Sequence, residues 1–303
     1  MRPTTAWAVV AAAAVAVAML ALPVLCVSGS GTPPVPAASP LEVQPSVPPL
    51  HFTTYVILVH GFDPAVFPAT FWTYGVDDYA QLVRAGYVVG IVSYYGTFTL
   101  GFSNGQSYTD TSFYGTTNTP IQSVGQELGK ALKSTLTGKN IILDIVGHSM
   151  GGLVTMSMLE NTKIPNVELY DVVYLGSPLN GAPVTVLTQY ANMSGYQAQE
   201  MSQGSPFLTN LATYSGNISK NYPNVHALVY AGDADPYWSA TYFGAPNDGL
   251  VSVTSASHMK YYKMYEFPDL HMPSLDVYTP GYVSYFEDQK VANEFLNNFK
   301  GTF

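Results

Sequence analysis

Charge is scarce in this chain. Only 10% of its 303 residues are Asp, Glu, Lys or Arg, against about a quarter in ordinary soluble domains, so surface ion-pair networks are excluded as its main source of stability. Positive charge is scarcer still, with 11 Lys and Arg against 20 Asp and Glu and no basic run anywhere. Binding to phosphate backbones needs clustered cations, and nucleic acid is therefore excluded as a partner. Cys26 is the only cysteine, so no disulfide forms within the chain. Metal-ligand spacings of the H-E-x-x-H or paired C-x-x-C kind are also missing, and no metal or cofactor is expected.

What is present begins with an apolar run. After a single Arg2, residues Ala6 to Val27 are uninterrupted by polar side chains, longer than the usual signal core and long enough to span a bilayer. Residues 1–27 therefore read as an export signal or a retained N-terminal anchor, with the remainder secreted or held at the cell surface. The Pro-Val-Leu before Cys26 fits a bacterial lipidation box poorly, so that cysteine reads as apolar filler. Residues 28–50 hold seven prolines and almost no charge. That is an extended linker, able to stand a domain about 70 Å off a membrane at ~3.1 Å per residue. The folded domain is expected over residues 51–303.

From Thr53 onward, short β-branched runs alternate with amphipathic ones: TTYVILV, DDYAQLVRAG, YVVGIVSYY, IQSVGQELGKALKSTL and IILDIV. Continuous apolar strands such as Tyr55 to Val59 and Ile141 to Val146 suit a parallel sheet buried on both faces. Further strands are expected at Asp171 to Leu175, Val225 to Ala231 and Lys260 to Phe267, and a last helix near Gln289 to Phe299. The fold class is α/β, a central and mostly parallel sheet flanked by helices. Residues 183–222 fit neither period and read as a lid or cap insertion.

Two stretches match G-x-S-x-G: GHSMG around Ser149 and GFSNG, Gly101 to Gly105. Ser149 lies where a buried strand meets a helical pattern, as a nucleophile elbow requires, whereas GFSNG has no strand directly before it and no helix after it. Ser149 is thus the candidate nucleophile. The backbone N–H of Met150, the residue after it, is one expected oxyanion donor, and that of Phe62, in VILVHGF, is the second. His60 is expected to orient that loop, and His148 to form a pocket wall.

In order along the chain, VILVHGF, FWTYG, VGHSMGG, LGSPLNGAP, MSQGSPFLTNL and NDGLVS resemble the secreted microbial lipases and esterases of the α/β-hydrolase fold, over nearly all of residues 55 to 272. The resemblance implies a Ser-Asp-His order of catalytic residues. His226 lies early in a strand and His258 before one, while His271 falls in the loop after the Lys260 to Phe267 strand, which makes it the expected base. Asp248, in NDGLVS, is the acid by resemblance, with Asp233 or Asp235 at the end of an earlier strand as the alternative. Two departures stand out. Met272 and Pro273 follow His271 where similar lipases carry an acidic calcium ligand, so the calcium-site pattern is not evident, and in GSPL Leu179 replaces the family's histidine.

The expected activity is an extracellular serine hydrolase acting on carboxylic esters, acylglycerols or other lipid esters at a lipid–water interface. A carboxylesterase on short soluble esters is the alternative, followed by a thioesterase, amidase or acyltransferase using the same triad. A non-catalytic binding protein on the same fold comes last.

Overall fold

The computed structural model describes residues 52–64, 68–136, 140–189, 191–259, 263–273 and 282–299. The expected signal or anchor (1–27) and linker (28–50) lie outside the described residues. Within these, no helix is long and apolar enough to cross a membrane.

Eight strands form one sheet: β1 (Thr53–Val59), β2 (Val88–Ser93), β3 (Gly96–Phe102), β4 (Ser107–Gly115), β5 (Ile141–His148), β6 (Val167–Leu175), β7 (His226–Gly232) and β8 (Lys263–Phe267). Their order is β4-β3-β2-β1-β5-β6-β7-β8. Only the β2–β3 and β3–β4 pairings are antiparallel; β1, β2 and β5 to β8 run parallel. The helices are α1 (Pro68–Thr73), α2 (Asp78–Arg84), α3 (Ile121–Leu136), α4 (Met150–Asn161), α5 (Val184–Gln189), α6 (Tyr196–Glu200), α7 (Pro206–Asn221), α8 (Val253–Ala256) and α9 (Gln289–Asn298).

Alternation along the strands divides the core into two layers. Tyr55, Ile57 and Val59 of β1 join Ile145 of β5 under α3, α4 and α7, through Val124, Leu128, Leu153, Val154, Leu208 and Leu211. Val56 and Leu58 join Val146 on the other face, beneath Trp72, Leu82, Val291 and Phe295 of α1, α2 and α9. A sheet covered on both faces buries strands whole, which is why β1 and β5 read as unbroken apolar runs. Helix α4 is buried over 11 of its 12 residues. It follows the nucleophile candidate and lies between neighbours on both sides, α3 and α7.

The β3–β4 hairpin is a departure from the sequence reading. A strand, β3, does run directly into GFSNG, but a second strand follows it, so the match is a hairpin turn closed by Gly105 N–H donating to the Phe102 carbonyl at 3.0 Å. Ser103 Oγ accepts from the Val89 N–H at 3.0 Å, and its role is to tie the turn to β2. Residues 183–222 are also more regular than their composition suggests. Helix α7 buries Leu208, Leu211 and Ile218 in the main core. Helix α6 is fastened to the sheet's carboxyl edge: Gln197 accepts from Tyr95 Oη at 2.8 Å and donates from Nε2 to the Thr119 carbonyl at 2.9 Å.

Candidate active site

The carboxyl ends of parallel strands are where an α/β sheet presents its loops, and the sequence-nominated residues collect there. Ser149 occupies the turn between β5 and α4 with φ 54° and ψ −125°. A non-glycine residue in that region is strained by about 1–3 kcal/mol and persists only when its surroundings over-determine it. Here the Ser149 N–H donates to the Leu175 carbonyl at 2.8 Å, and its carbonyl accepts from Gly152 N–H at 3.0 Å. Close packing of β1 on α4 leaves no space for a side chain at Gly151: a Cβ there would run into the Val59 carbonyl oxygen and come within 2.5 Å of that of His60. Met150 opens α4, whose first-turn N–H groups have no intrahelical carbonyl and favour negative charge nearby.

The loop after β1 closes over the serine. A Cβ placed on Gly61 would lie 2.9 Å from Ser149 Cβ. Tyr94 Oη donates to the carbonyls of His60 and Gly61 at 2.5 and 2.9 Å. The His60 ring stacks on Tyr94 with centroids 4.0 Å apart and its Nδ1 donates to the Gly61 carbonyl at 2.7 Å. In a trans peptide the N–H points opposite the C=O, so fixing the Gly61 carbonyl fixes the direction of the Phe62 N–H. His60 is fully buried, and burial pushes its pKa down to about 4. Neutral and held by Gly61, it orients this loop.

Asp248 and His271 meet from different loops. Asp248 Oδ2 accepts from His271 Nδ1 at 2.7 Å, both side chains being buried. Asp248 Oδ1 accepts from the Leu250 and Val251 N–H groups at 2.9 and 2.7 Å, and the His271 N–H donates to the Asp248 carbonyl at 2.9 Å. The carboxylate is thereby oriented on both sides and holds the imidazole in the tautomer that leaves Nε2 able to accept a proton. Of the two alternative acids, the Asp235 carboxylate is bound elsewhere. Asp235, at φ 45°, accepts from the Asn247 N–H and Nδ2 at 2.9 and 3.1 Å and shapes the turn leading to Asp248. Asp233 continues β7, its N–H donating to the Phe267 carbonyl at 2.8 Å.

The remaining histidines take other places. His226 opens β7 and lies 3.2 Å from Asp171 Oδ1; His258 is exposed after α8. His148, expected as a pocket wall, does more than that. Its Nε2 donates to the His271 carbonyl at 3.0 Å, tying the elbow to the base's loop. Burial, followed by the proximity of His271, holds its pKa well below the usual histidine value, so it is neutral.

Sequence reasoning passes over Tyr94 and Tyr285. Tyr285 is fully buried and donates to Asp248 Oδ2 at 2.9 Å, the oxygen already taken by His271. No spacing announces either residue, because each meets its partner only through the tertiary fold. Beside the site, Asp63, Thr70, Phe71, Tyr74, Met272, Pro273 and Phe286 line an apolar cleft of about 170 Å³. Among the described residues no group of three His, Cys, Asp or Glu side chains is arranged to hold a metal ion.

Comparison with known proteins agrees with this arrangement at the level of fold. The sequence model of the alpha/beta hydrolase family matches residues 56–283. Among curated proteins no sequence match is found. A Bacillus licheniformis lipase in its propeptide form superposes with a TM-score of 0.52 at 17% identity, over 77% of this chain and 51% of that one. The chain thus spans about half the length of that protein. The mature form of the same lipase gives 0.44 at 19% identity, over 86% of this chain and 94% of that one. A Pyrococcus furiosus esterase gives 0.42 at 17%, over 82% and 85%.

Proposed function

The chain belongs to the alpha/beta hydrolase family, and on that premise we propose that it is an extracellular serine hydrolase of carboxylic esters, acylglycerols or other lipid esters among them. The observation that carries this reading is the buried Asp248–His271 pair, 2.7 Å apart, on the same sheet edge as a serine held at φ 54°. A binding protein has no use for a strained serine on the same sheet edge as an imidazole oriented by a buried carboxylate.

In the proposed reaction, Ser149 Oγ attacks the ester carbonyl carbon while His271 Nε2 takes its proton. Asp248 keeps Nδ1–H in place and stabilises the imidazolium. The carbonyl oxygen becomes an oxyanion and accepts from the Phe62 and Met150 N–H groups. Collapse breaks the ester C–O bond, and the proton on His271 passes to the departing alkoxide, leaving an acyl-enzyme. Water, deprotonated by His271, attacks that acyl carbon; the acid is released and Ser149 regains its proton. No step is routed through a metal or cofactor.

The apolar cleft supports an acyl or alkyl group as the recognised part of the substrate. Its size, about 170 Å³, is small beside the roughly 300–1,000 Å³ of pockets that enclose drug-sized ligands. This favours a second reading, a carboxylesterase for short, soluble esters. The N-terminal apolar run and proline-rich linker are the basis for placing the activity outside the cell.

A fluorophosphonate probe tests the chemistry. Wild-type protein should be labelled and Ser149→Ala should not; no labelling of the wild type, or equal labelling of both, overturns the serine-hydrolase reading. Rates on p-nitrophenyl esters from acetate to palmitate, below and above the solubility limit, then separate the two substrate classes.

A further inference from the structure

The Asp248 carboxylate has one donor more than a three-residue relay requires. Its Oδ1 is filled by two backbone N–H groups, and its Oδ2 is shared between His271 Nδ1 at 2.7 Å and the Tyr285 hydroxyl at 2.9 Å. The phenol is built into this place from three directions. Its backbone N–H donates to the Leu270 carbonyl at 3.2 Å, and the Leu270 N–H donates to that of Val283 at 2.8 Å, so the segment carrying Tyr285 is laced to the one carrying His271. On the third side the Gly232 main chain lies against the phenol oxygen. Two glycines at strand ends leave the necessary room. A Cβ on Gly232 would come 2.7 Å from the Tyr285 oxygen, and one on Gly176 would come 2.8 Å from Tyr285 Cε2 and 3.1 Å from both Asp248 Oδ2 and His271 Nδ1.

The geometry points to Tyr285 as a positioning residue that sets the acid limit of the enzyme: by donating to Asp248 Oδ2 it weakens the carboxylate's hold on the imidazolium, so His271 gives up its proton and accepts one from Ser149 at lower pH. This rests on the serine-hydrolase reading above. The physical reason is competition for one oxygen. A hydrogen bond donated to a carboxylate disperses its charge, and less charge then faces Nδ1. Tyr285 is suited to the part because burial, and then the neighbouring Asp248 charge, raise its pKa well above the ordinary tyrosine value, so it remains an O–H donor throughout the working range.

The other titratable groups around the pair act differently. His148, with its ring 4.8 Å from that of His271, is kept neutral by burial and holds the His271 carbonyl; His60 lies beyond it, also neutral at ordinary pH. Asp269, two residues before His271, is buried and its pKa is pushed up to about 8, mainly by burial, with Asp288 and Asp233 adding to the rise and Lys290 opposing it. Below that pH Asp269 is uncharged, so Tyr285 and the main-chain donors remain to set the charge on Asp248.

The test is the pH dependence of fluorophosphonate labelling and of kcat/KM in the full chain. Tyr285→Phe should move the acid limb upward by roughly 0.5–1 pH unit. Site-specific 3-fluorotyrosine at position 285 keeps the ring's place and makes the hydroxyl a stronger donor, so it should move the limb downward; it also serves if the Phe variant does not fold. An acid limb at the wild-type position in the folded variants, even with rates lowered equally at every pH, overturns the assignment while leaving the hydrolase reading in place. Wild-type protein that does not react with the probe overturns the hydrolase reading beneath it.

Discussion

At the scale of single residues, the proposed mechanism separates the groups that would meet the ester from the groups that aim them. Ser149 could be nominated from its strand-to-helix context and His271 from its place after a strand, while Asp248 was preferred to Asp233 or Asp235 by resemblance; the structure brings Asp248 and His271 together. Tyr94 could not be nominated, since its hydroxyl serves two main-chain carbonyls in the loop after β1, distant in sequence. Removing it should misalign the Phe62 N–H without touching the nucleophile. Full loss of one oxyanion donor costs about 10²- to 10³-fold, so Tyr94→Phe should lower kcat by roughly 10- to 100-fold with KM near that of the wild type. Steady-state kinetics on a soluble ester check this, and a rise in KM at unchanged kcat would place Tyr94 in substrate binding instead.

Among the secondary-structure elements, legibility followed burial. The parallel strands, enclosed on both faces, advertise themselves as continuous apolar runs, and β1, β5, β6 and β7 fall close to where the runs place them. A search for such runs passes over β3 and β4, which lie at the sheet's edge, alternate polar with apolar residues and pair antiparallel. Their signal was the alternation around a Gly-containing turn, and the G-x-S-x-G coincidence obscured it. Helix α7 was hidden for another reason: it carries Thr, Asn and Ser among its 16 residues, and its helicity is secured by packing on α4 more than by propensity. The same logic of close contact fixes the cost of altering the elbow. Gly151→Ala would push a methyl against the carbonyls of Val59 and His60, forcing α4 off β1. We expect a loss of about 3 kcal/mol, read from the urea midpoint, and a loss of fluorophosphonate labelling larger than the fraction unfolded explains.

For the molecule as a whole, buried ionisable groups determine how stability follows pH. Burial pushes the carboxyls of Asp78, Glu160 and Asp269 up to about 8. Between their unfolded values near 4 and that pH, the folded chain binds protons that the unfolded chain does not, so this contribution is full in acid and is lost as pH rises toward 8. His60 and His148 work in the opposite sense. Their folded values are depressed, and the stability they contribute is present above about 6.5 and lost as pH falls below it. From pH 6.5 to 8 the carboxyls act unopposed, and thermal midpoints should fall by a few degrees across that interval. Asp269→Asn, which cannot ionise, should flatten the fall. Midpoints that hold level or rise from pH 6.5 to 8 in the wild type would contradict the assignment.

The seating of Tyr285 also has a temporal side. The main-chain lacing that brings it to Leu270 and, through Phe286, to Val76 joins a late stretch of the polypeptide to regions made much earlier. A chain emerging amino terminus first can therefore complete β1, β5 and the elbow while Asp248 still lacks its fourth donor. Under the proposed role of Tyr285, hydrolysis at low pH therefore waits on the docking of that last strap, after the sheet is built.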